Sequence, residues 1–416
     1  MEKERKVRLL AFLITGGLLF ACLYHFGLMG GLLKKGYPQN AFLYNPDWLF
    51  SDFYETVEIN RGRDPYTLQK SVYPPAASMA AFAFSRLAPK TGADIYLFVA
   101  ALFFLHIGMR AFSGGGILPA LRRTLFIIAA SYPVLYLLDT GNFELFAFIP
   151  FYFFAIFYVR EKYWLAALLL GVSAAIKITP GVFVVLFLLE RRWREAAVCV
   201  LAAGTLTLAC AAAMRGGIWE IFAAMRANLA DYNSQYLYKG YGLVFGNSLY
   251  GGIHSLFCFA VGRDPVRPFP WLIAAYPWLT GGLAAFFIYR AAKAAEVWRK
   301  FMLLCVVMVT LPYISADYRL VYFFAPLFLF LSAKPQQEGR DLVCVLLFAS
   351  LLIPKHFFYF AEPEVSSSAV LAPAAALALA FLAALPGNLH GNRASQEAPD
   401  GKRVYDTLAA IGSPTS

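Results

Sequence analysis

Charge is what this chain has least of. Only 15% of its 416 residues are Asp, Glu, Lys or Arg, while 60% are hydrophobic. Soluble domains carry about 25% charged and about 45–50% apolar residues, so a soluble globular class is excluded. The charges that remain sit in short clusters between apolar runs, as in a polytopic membrane protein. No Lys/Arg run is long enough for a nucleic-acid surface, so the net charge of +11 reads as cytoplasmic loop charge. Also missing are GxSxG, HExxH and Walker A signatures and any DxD pair. The five histidines (His25, His106, His254, His356, His390) have no ligand spacing. The six cysteines form no CxxC and all lie in apolar stretches, where they act as small hydrophobes. Neither a metal nor a cofactor is expected.

Against that background one polar island stands out. It runs Asp47-Trp48-Leu49-Phe50-Ser51-Asp52-Phe53-Tyr54-Glu55, then Gly62-Arg63-Asp64-Pro65-Tyr66, then Tyr73-Pro74-Pro75. It follows the first apolar segment, Leu9 to Gly31, which is too long for a signal peptide and has no clear cleavage site. That segment reads as an uncleaved span with a cytoplasmic N-terminus.

Positive-inside bookkeeping then assigns the loops. Arg122-Arg123, Arg160-Glu161-Lys162, Glu190 to Arg194, Arg290 to Lys300 and Lys334 to Arg340 fall inside. The outcome is an all-α bundle of about 12 transmembrane helices with both ends in the cytoplasm. Pro74–Ala88 and Asn247–Val261 are set aside as re-entrant or interfacial. The membrane domain covers 1–385, with a first outer loop at about 32–73 carrying a short interfacial helix and a long outer loop at about 215–246. A flexible cytoplasmic tail covers 386–416. Asp52, Asp64, Tyr73, Asn142, Lys177 and the Asp317-Tyr318-Arg319 run all land on the outer face, although the loops were assigned from Lys and Arg alone. Convergent polar groups at one membrane face mark a site.

Each residue has two readings. A carboxylate held between aromatics at a membrane surface is partly desolvated, which raises its pKa and suits Asp52 to act as a general base. Alternatively, Ser51 or Asp52 starts a short helix through Ile59 as its N-cap. Asp47 is the other base candidate. Asp64 before Pro65 reads as a turn, and Tyr73-Pro74-Pro75 as a rigid entry into a helix. Lys177 either binds a lipid phosphate or snorkels to the interface. Arg319 either clamps an anion or pairs locally with Asp317. Asn142 and Asn247 either bind sugar hydroxyls or cap helices.

The order of these elements resembles glycosyltransferase family 87, polyprenol-phosphate-mannose-dependent α-1,2-mannosyltransferases of the GT-C superfamily. Ser51-Asp52-Phe53-Tyr54, Arg61 to Tyr66 and Tyr73-Pro74-Pro75 resemble that family's first outer loop. Gly141-Asn142, Lys177-Ile178-Thr179-Pro180, Arg191-Arg192-Trp193, Asn247-Ser248 and Ser315 to Pro326 resemble its later elements. The resemblance implies a GT-C-like fold and inverting transfer of a hexose, mannose first, from a polyprenyl-phosphate sugar. The acceptor would be a lipid-linked or cell-envelope glycan on the outer face of the plasma membrane. It implies Asp52 as the base. Lys177, Arg319 and Asn247 are then the donor-phosphate ligands, and Asp64, Tyr66, Tyr73, Asn142 and Tyr318 the substrate contacts. Two departures stand out: Glu144 follows Gly141-Asn142-Phe143, where the family more often has a neutral polar residue, and the Asn247 element lacks an intervening Gln. The competing class is a transporter or flippase. It predicts repeat symmetry and midplane charges, and neither is visible.

Overall fold

The computed structural model describes residues 1–62, 64–113, 115–238, 241–244, 246–262, 267–360 and 365–386. The expected tail and the Glu362-Pro363-Glu364 turn lie outside the described residues. Among the described residues the fold is helical apart from a ribbon of two residues on each side, Tyr359–Phe360 against Val365–Ser366. Four helical stretches among them are long and apolar enough to cross a bilayer: α1 with its π-helical extension (Lys3–Leu32), α4 (Pro89–Ala111), α10 (Trp193–Ala212) and α14 (Pro270–Lys293). A fifth candidate is a bent pair. In it α5 (Ile117–Thr124) runs on through a π-helical turn to Ala129, and α6 (Tyr132–Thr140) leaves at 68°.

The bend follows from Ser131-Tyr132-Pro133. Pro133 has no N–H to continue the helical ladder, and the Ser131 hydroxyl turns back to the Ile128 carbonyl at 2.7 Å. Arg122 and Arg123, expected in a loop, are the last turn of α5. Most other expected crossings are shorter apolar helices, among them α7 (Glu144–Val159), α8 (Tyr163–Ile176) and α18 (Ser368–Ala384).

The Lys/Arg-rich turns gather at one end. Asp341 at the start of α17 (Glu338–Leu352) receives the Met1 amine at 2.8 Å and Lys6 at 3.1 Å. Glu4 receives Arg123 at 2.7 Å. Glu190 takes Lys300 and the Tyr158 hydroxyl, at 2.8 and 2.5 Å, and Gln336 reaches Glu296. The polar residues singled out above lie at the opposite end of α7 and α8, since a 16-residue helix spans about 24 Å.

Two short helices from the first loop build that opposite end. Asn45 accepts the Asp47 N–H at 3.1 Å and opens a turn over Pro46–Trp48. Phe50 then adopts φ 60°, and α2 runs Ser51–Ile59. Beyond it, Asp64 accepts from the Thr67 N–H and hydroxyl at 3.2 and 2.5 Å, so the expected turn is present. Pro75 occupies the first turn of α3 (Pro75–Phe84), where a missing N–H costs nothing. The long loop expected at 215–246 is mostly helix instead: α11 covers Ile218–Asn233 and a π-helical turn follows to Tyr238. Its mixed polar surface hid it from a hydrophobic-periodicity reading. Asn228 of α11 donates to the Tyr66 and Ser71 carbonyls at 2.9 and 3.0 Å, which fastens α11 onto the first loop.

Candidate active site

Phe53 seats α2 on the bundle. It is buried, with ring centroids 5.4 Å from Phe84, 5.6 Å from Tyr96 and 5.9 Å from Phe143. Burying a phenylalanine is worth about 1.5–3 kcal/mol. Gly141 makes the approach close enough. It ends α6 with φ +67°, and a Cβ there would lie 2.8 Å from the Phe53 Cβ and 2.9 Å from the Phe50 ring. The Gly of Gly141-Asn142 is therefore required twice, by backbone conformation and by contact.

Seating α2 there presents Asp52 to Asn142. The Asn142 Nδ2 donates to the Asp52 Oδ2 at 2.7 Å, while the Asn142 Oδ1 accepts the Glu144 N–H at 2.9 Å. Asn142 thus supports the start of α7 and orients Asp52 with one side chain. Neither Ser51 nor Asp52 caps α2: the N-cap is Phe50, with no side-chain bond. The capping reading of Asp52 is set aside, and its carboxylate is free to point inward. Burial pushes that carboxyl above the usual aspartate range. The Asn142 hydrogen bond and Lys177 pull it back, and Glu55 pushes it up again. Asp47 is exposed. Tyr44 borders the same space: burial, then the Asp52 charge, lift its phenol to about 12. Tyr73 is lifted further by the same two causes, so both remain neutral hydrogen-bonding groups at neutral pH.

A second cluster adjoins Asp52. Glu144 is fully buried. Its Oε2 lies 3.7 Å from Lys177 Nζ and 3.6 Å from Arg319 Nε, and its Oε1 accepts from the Tyr322 hydroxyl at 2.7 Å. Lys177 follows α8 at the point where the helix breaks, and its ammonium stacks 4.3 Å from the Tyr73 ring centroid. It turns into the protein rather than snorkelling. Arg319 sits on a 3₁₀ turn, Asp317–Phe323, and its Nη1 donates to the Ile314 carbonyl at 3.3 Å. Its carboxylate partner is Glu144, not its neighbour Asp317.

The remaining candidates divide. Tyr318 stacks on Tyr136, centroids 6.3 Å apart, and Tyr73 carries Lys177, so both border the cluster. Tyr66 is buried, and its hydroxyl donates to the Tyr73 carbonyl at 2.7 Å, bracing the loop. Asp64 has its turn. Asn247 pins the backbone before Arg319: its Nδ2 donates to the Ala316 carbonyl at 3.1 Å and its N–H to that of Ser315 at 2.8 Å. Ser248, not Asn247, caps the helix Leu249–Val261. Asn247 thus reaches the phosphate candidates through Ala316, to which the Arg319 N–H also bonds.

Three groupings escape the sequence reading, although Glu144 and Asp317 are named there singly. Glu144 and Tyr322 join the two cations. Asp317 is buried against the Tyr132 hydroxyl, His356 and Ser368, at 3.1, 3.3 and 3.4 Å, tying the chain after α17 to the Arg319 turn. Tyr232 and Tyr236 stack on each other at 4.0 Å on α11 and its extension; burial raises both phenols most, followed by the Asp52 charge at Tyr236 and by Tyr236 itself at Tyr232. Of the three pairings, that of Tyr232 with Tyr236 alone has a local signal, their spacing of four on a helix.

The Asn142 bond makes a first prediction. Because it favours the ionised form of Asp52, Asn142→Ala raises the carboxyl further. A base works deprotonated, so the acidic limb of the kcat/KM profile moves to higher pH. A pH–rate profile checks this; an unmoved limb in a folded variant removes Asn142 from the role.

The arrangement offers a base beside two buried cations. No curated protein and no solved structure matches the chain significantly. The sequence model of glycosyltransferase family 87 matches residues 72–314, a stretch holding Tyr73, Asn142, Glu144, Lys177 and Asn247. That match covers more than half of the sequence, so the chain belongs to glycosyltransferase family 87 and is a membrane glycosyltransferase.

Proposed function

We propose that the enzyme transfers a hexose, mannose first, from a polyprenyl-phosphate sugar to a lipid-linked or cell-envelope glycan, with inversion. One observation carries the reading: Lys177 and Arg319 converge on the buried carboxylate of Glu144 beside Asp52, so that, set next to an ionised Asp52, the Lys–Arg–Glu cluster itself carries one positive charge in excess. A phosphodiester is a monoanion and answers that charge. The acceptor oxygen attacks the anomeric carbon and its proton passes to Asp52. The bond from the anomeric carbon to the phosphate oxygen breaks, and its electron pair stays on the phosphate that Lys177 and Arg319 hold. No nucleotide or metal is invoked, and the partners are the two lipid-linked substrates and membrane lipid. We place the Asp52 end on the extracytoplasmic face of the plasma membrane and both termini inside. The gathering of the Lys/Arg turns at the other end supports this. The GT-C-like count of about 12 crossings needs the shorter apolar helices to cross as well, where the bilayer thins around them.

The test uses purified full-length protein reconstituted in lipid vesicles, polyprenyl-phosphate mannose and a membrane extract, with mass spectrometry of the products. A product lipid or glycan heavier by one hexose is expected. Donor carried across a vesicle membrane without a hexosylated product would overturn the reading in favour of transport.

A further inference from the structure

Glu144 is an odd residue to bury between two cations that are meant for a phosphate. A buried carboxylate needs partners, and it has three: Lys177, Arg319 and the Tyr322 hydroxyl, at 3.7, 3.6 and 2.7 Å. Its backbone N–H is fixed by Asn142, the residue that also holds Asp52. Tyr322 is itself buried, with its ring centroid 4.9 Å from Phe151 and 5.3 Å from Phe148. The carboxylate is therefore held by rigid neighbours at the first turn of α7, where the helix dipole favours a negative charge. It is a fixed part of the site and not a lid or a passing contact.

Its consequence follows from charge counting and rests on the proposed donor class. Before transfer the phosphate is a diester with one negative charge. After transfer it is a monoester, whose second ionisation lies near pH 6, so above that pH it carries about two charges. The Coulomb energy of a ligand is linear in its charge. A fixed negative group thus opposes the product about twice as strongly as the donor. We propose that Glu144 is a positioning residue that sets the charge of the pocket and speeds release of the polyprenyl monophosphate product, shifting the selectivity of the site from the monoester toward the diester.

The experiment measures binding, so it does not depend on turnover. Purified full-length protein in nanodiscs is titrated at pH 8 with farnesyl phosphate, a monoester, and with its methyl diester. Glu144→Gln should tighten both, and the monoester more: about threefold for the diester implies about tenfold for the monoester, because the logarithm doubles with charge. Under turnover the same variant should show lower donor KM, lower kcat and stronger inhibition by farnesyl phosphate. Tyr322→Phe keeps the charge and removes only one hydrogen bond, so its monoester-to-diester ratio should stay at the wild-type value. A Tyr322→Phe ratio that copies Glu144→Gln would make the role one of packing and overturn the proposal.

Equal shifts for the two probes, or none, in folded Glu144→Gln would overturn it as well. Should that variant not fold, the same charge is removed in another background. Lys177→Gln/Glu144→Gln is compared with Lys177→Gln, and the monoester must again gain the square of the diester's gain. A wild type that binds both probes with the expected ratios but transfers no hexose would sink the proposed reaction and leave this inference standing.

Discussion

Asp52→Asn should lower kcat by about 10²–10⁴, the usual contribution of a general base, with the donor KM little changed. The substitution is close to isosteric, and the new amide oxygen can still accept from Asn142 Nδ2, now 2.7 Å from the carboxylate. The α2 helix keeps its seat, because Phe53 and not Asp52 packs against Tyr96, Phe143 and Phe84. What is lost is the capacity to take a proton. Two neighbours serve as controls. Asp47 is exposed, and Asp47→Asn should leave turnover near wild type. Asp64→Asn weakens the bonds to Thr67 and should lower the melting temperature while sparing turnover. Steady-state kinetics on properly inserted protein decide the matter. Near-wild-type turnover in Asp52→Asn would end the catalytic reading of Asp52 and make Asp47 the next candidate.

The second large effect is on the donor. Lys177→Met and Arg319→Gln should each raise the apparent donor KM by about 10- to 100-fold. A hydrogen bond to a charged group is worth about 1.5–3 kcal/mol, and each 1.4 kcal/mol is tenfold. Both side chains are largely shielded from solvent, with 13% and 17% relative exposure, so water does not replace them. Each variant leaves Glu144 one cation and the Tyr322 hydroxyl, which guards against the cost of an unpaired buried charge. A melting curve confirms the fold. Lys177→Arg should recover part of the affinity, since charge is kept while the fit over the Tyr73 ring changes. Unchanged donor affinity in both charge-removing variants would take the phosphate away from this pair.

Much of this was legible because it is local. Composition made the chain a membrane bundle, and the island, the Gly141-Asn142 pair, Lys177 and Arg319 could be read as polar residues with no cheap reason to be there. The capping question at Asp52 could not be settled by spacing. Phe50 takes the left-handed conformation and the N-cap position, which no propensity scale favours. Glu144 was visible only as a departure from the family pattern. Its role depends on residues 33 and 175 positions away, brought to it by the packing of α7, α8 and the Arg319 turn. Pairings across such distances leave no trace in hydrophobic periodicity. The bracing by Asn247 was hidden for the same reason: only the backbone of Ser315 and Ala316 shows that it holds the turn from behind. The 215–246 segment read as loop because the apolar stripe of its helix is short, Ile218, Ile221, Ala224 and Met225 packing near Tyr66, and the clamp from Asn228 is not a periodic signal.

The seat of Phe53 also sets an order of assembly. Its packing partners Phe84, Tyr96 and Phe143, and the Gly141 that admits it, all follow it in the chain. During synthesis the island leaves the ribosome well before the groove that receives it, since chains emerge N-terminus first. Asp52 stays in contact with water until α6 and the start of α7 have been inserted. The acid can acquire its raised pKa only then. A nascent chain stopped short of Phe143 would carry the proposed base in full and lack the setting that tunes it.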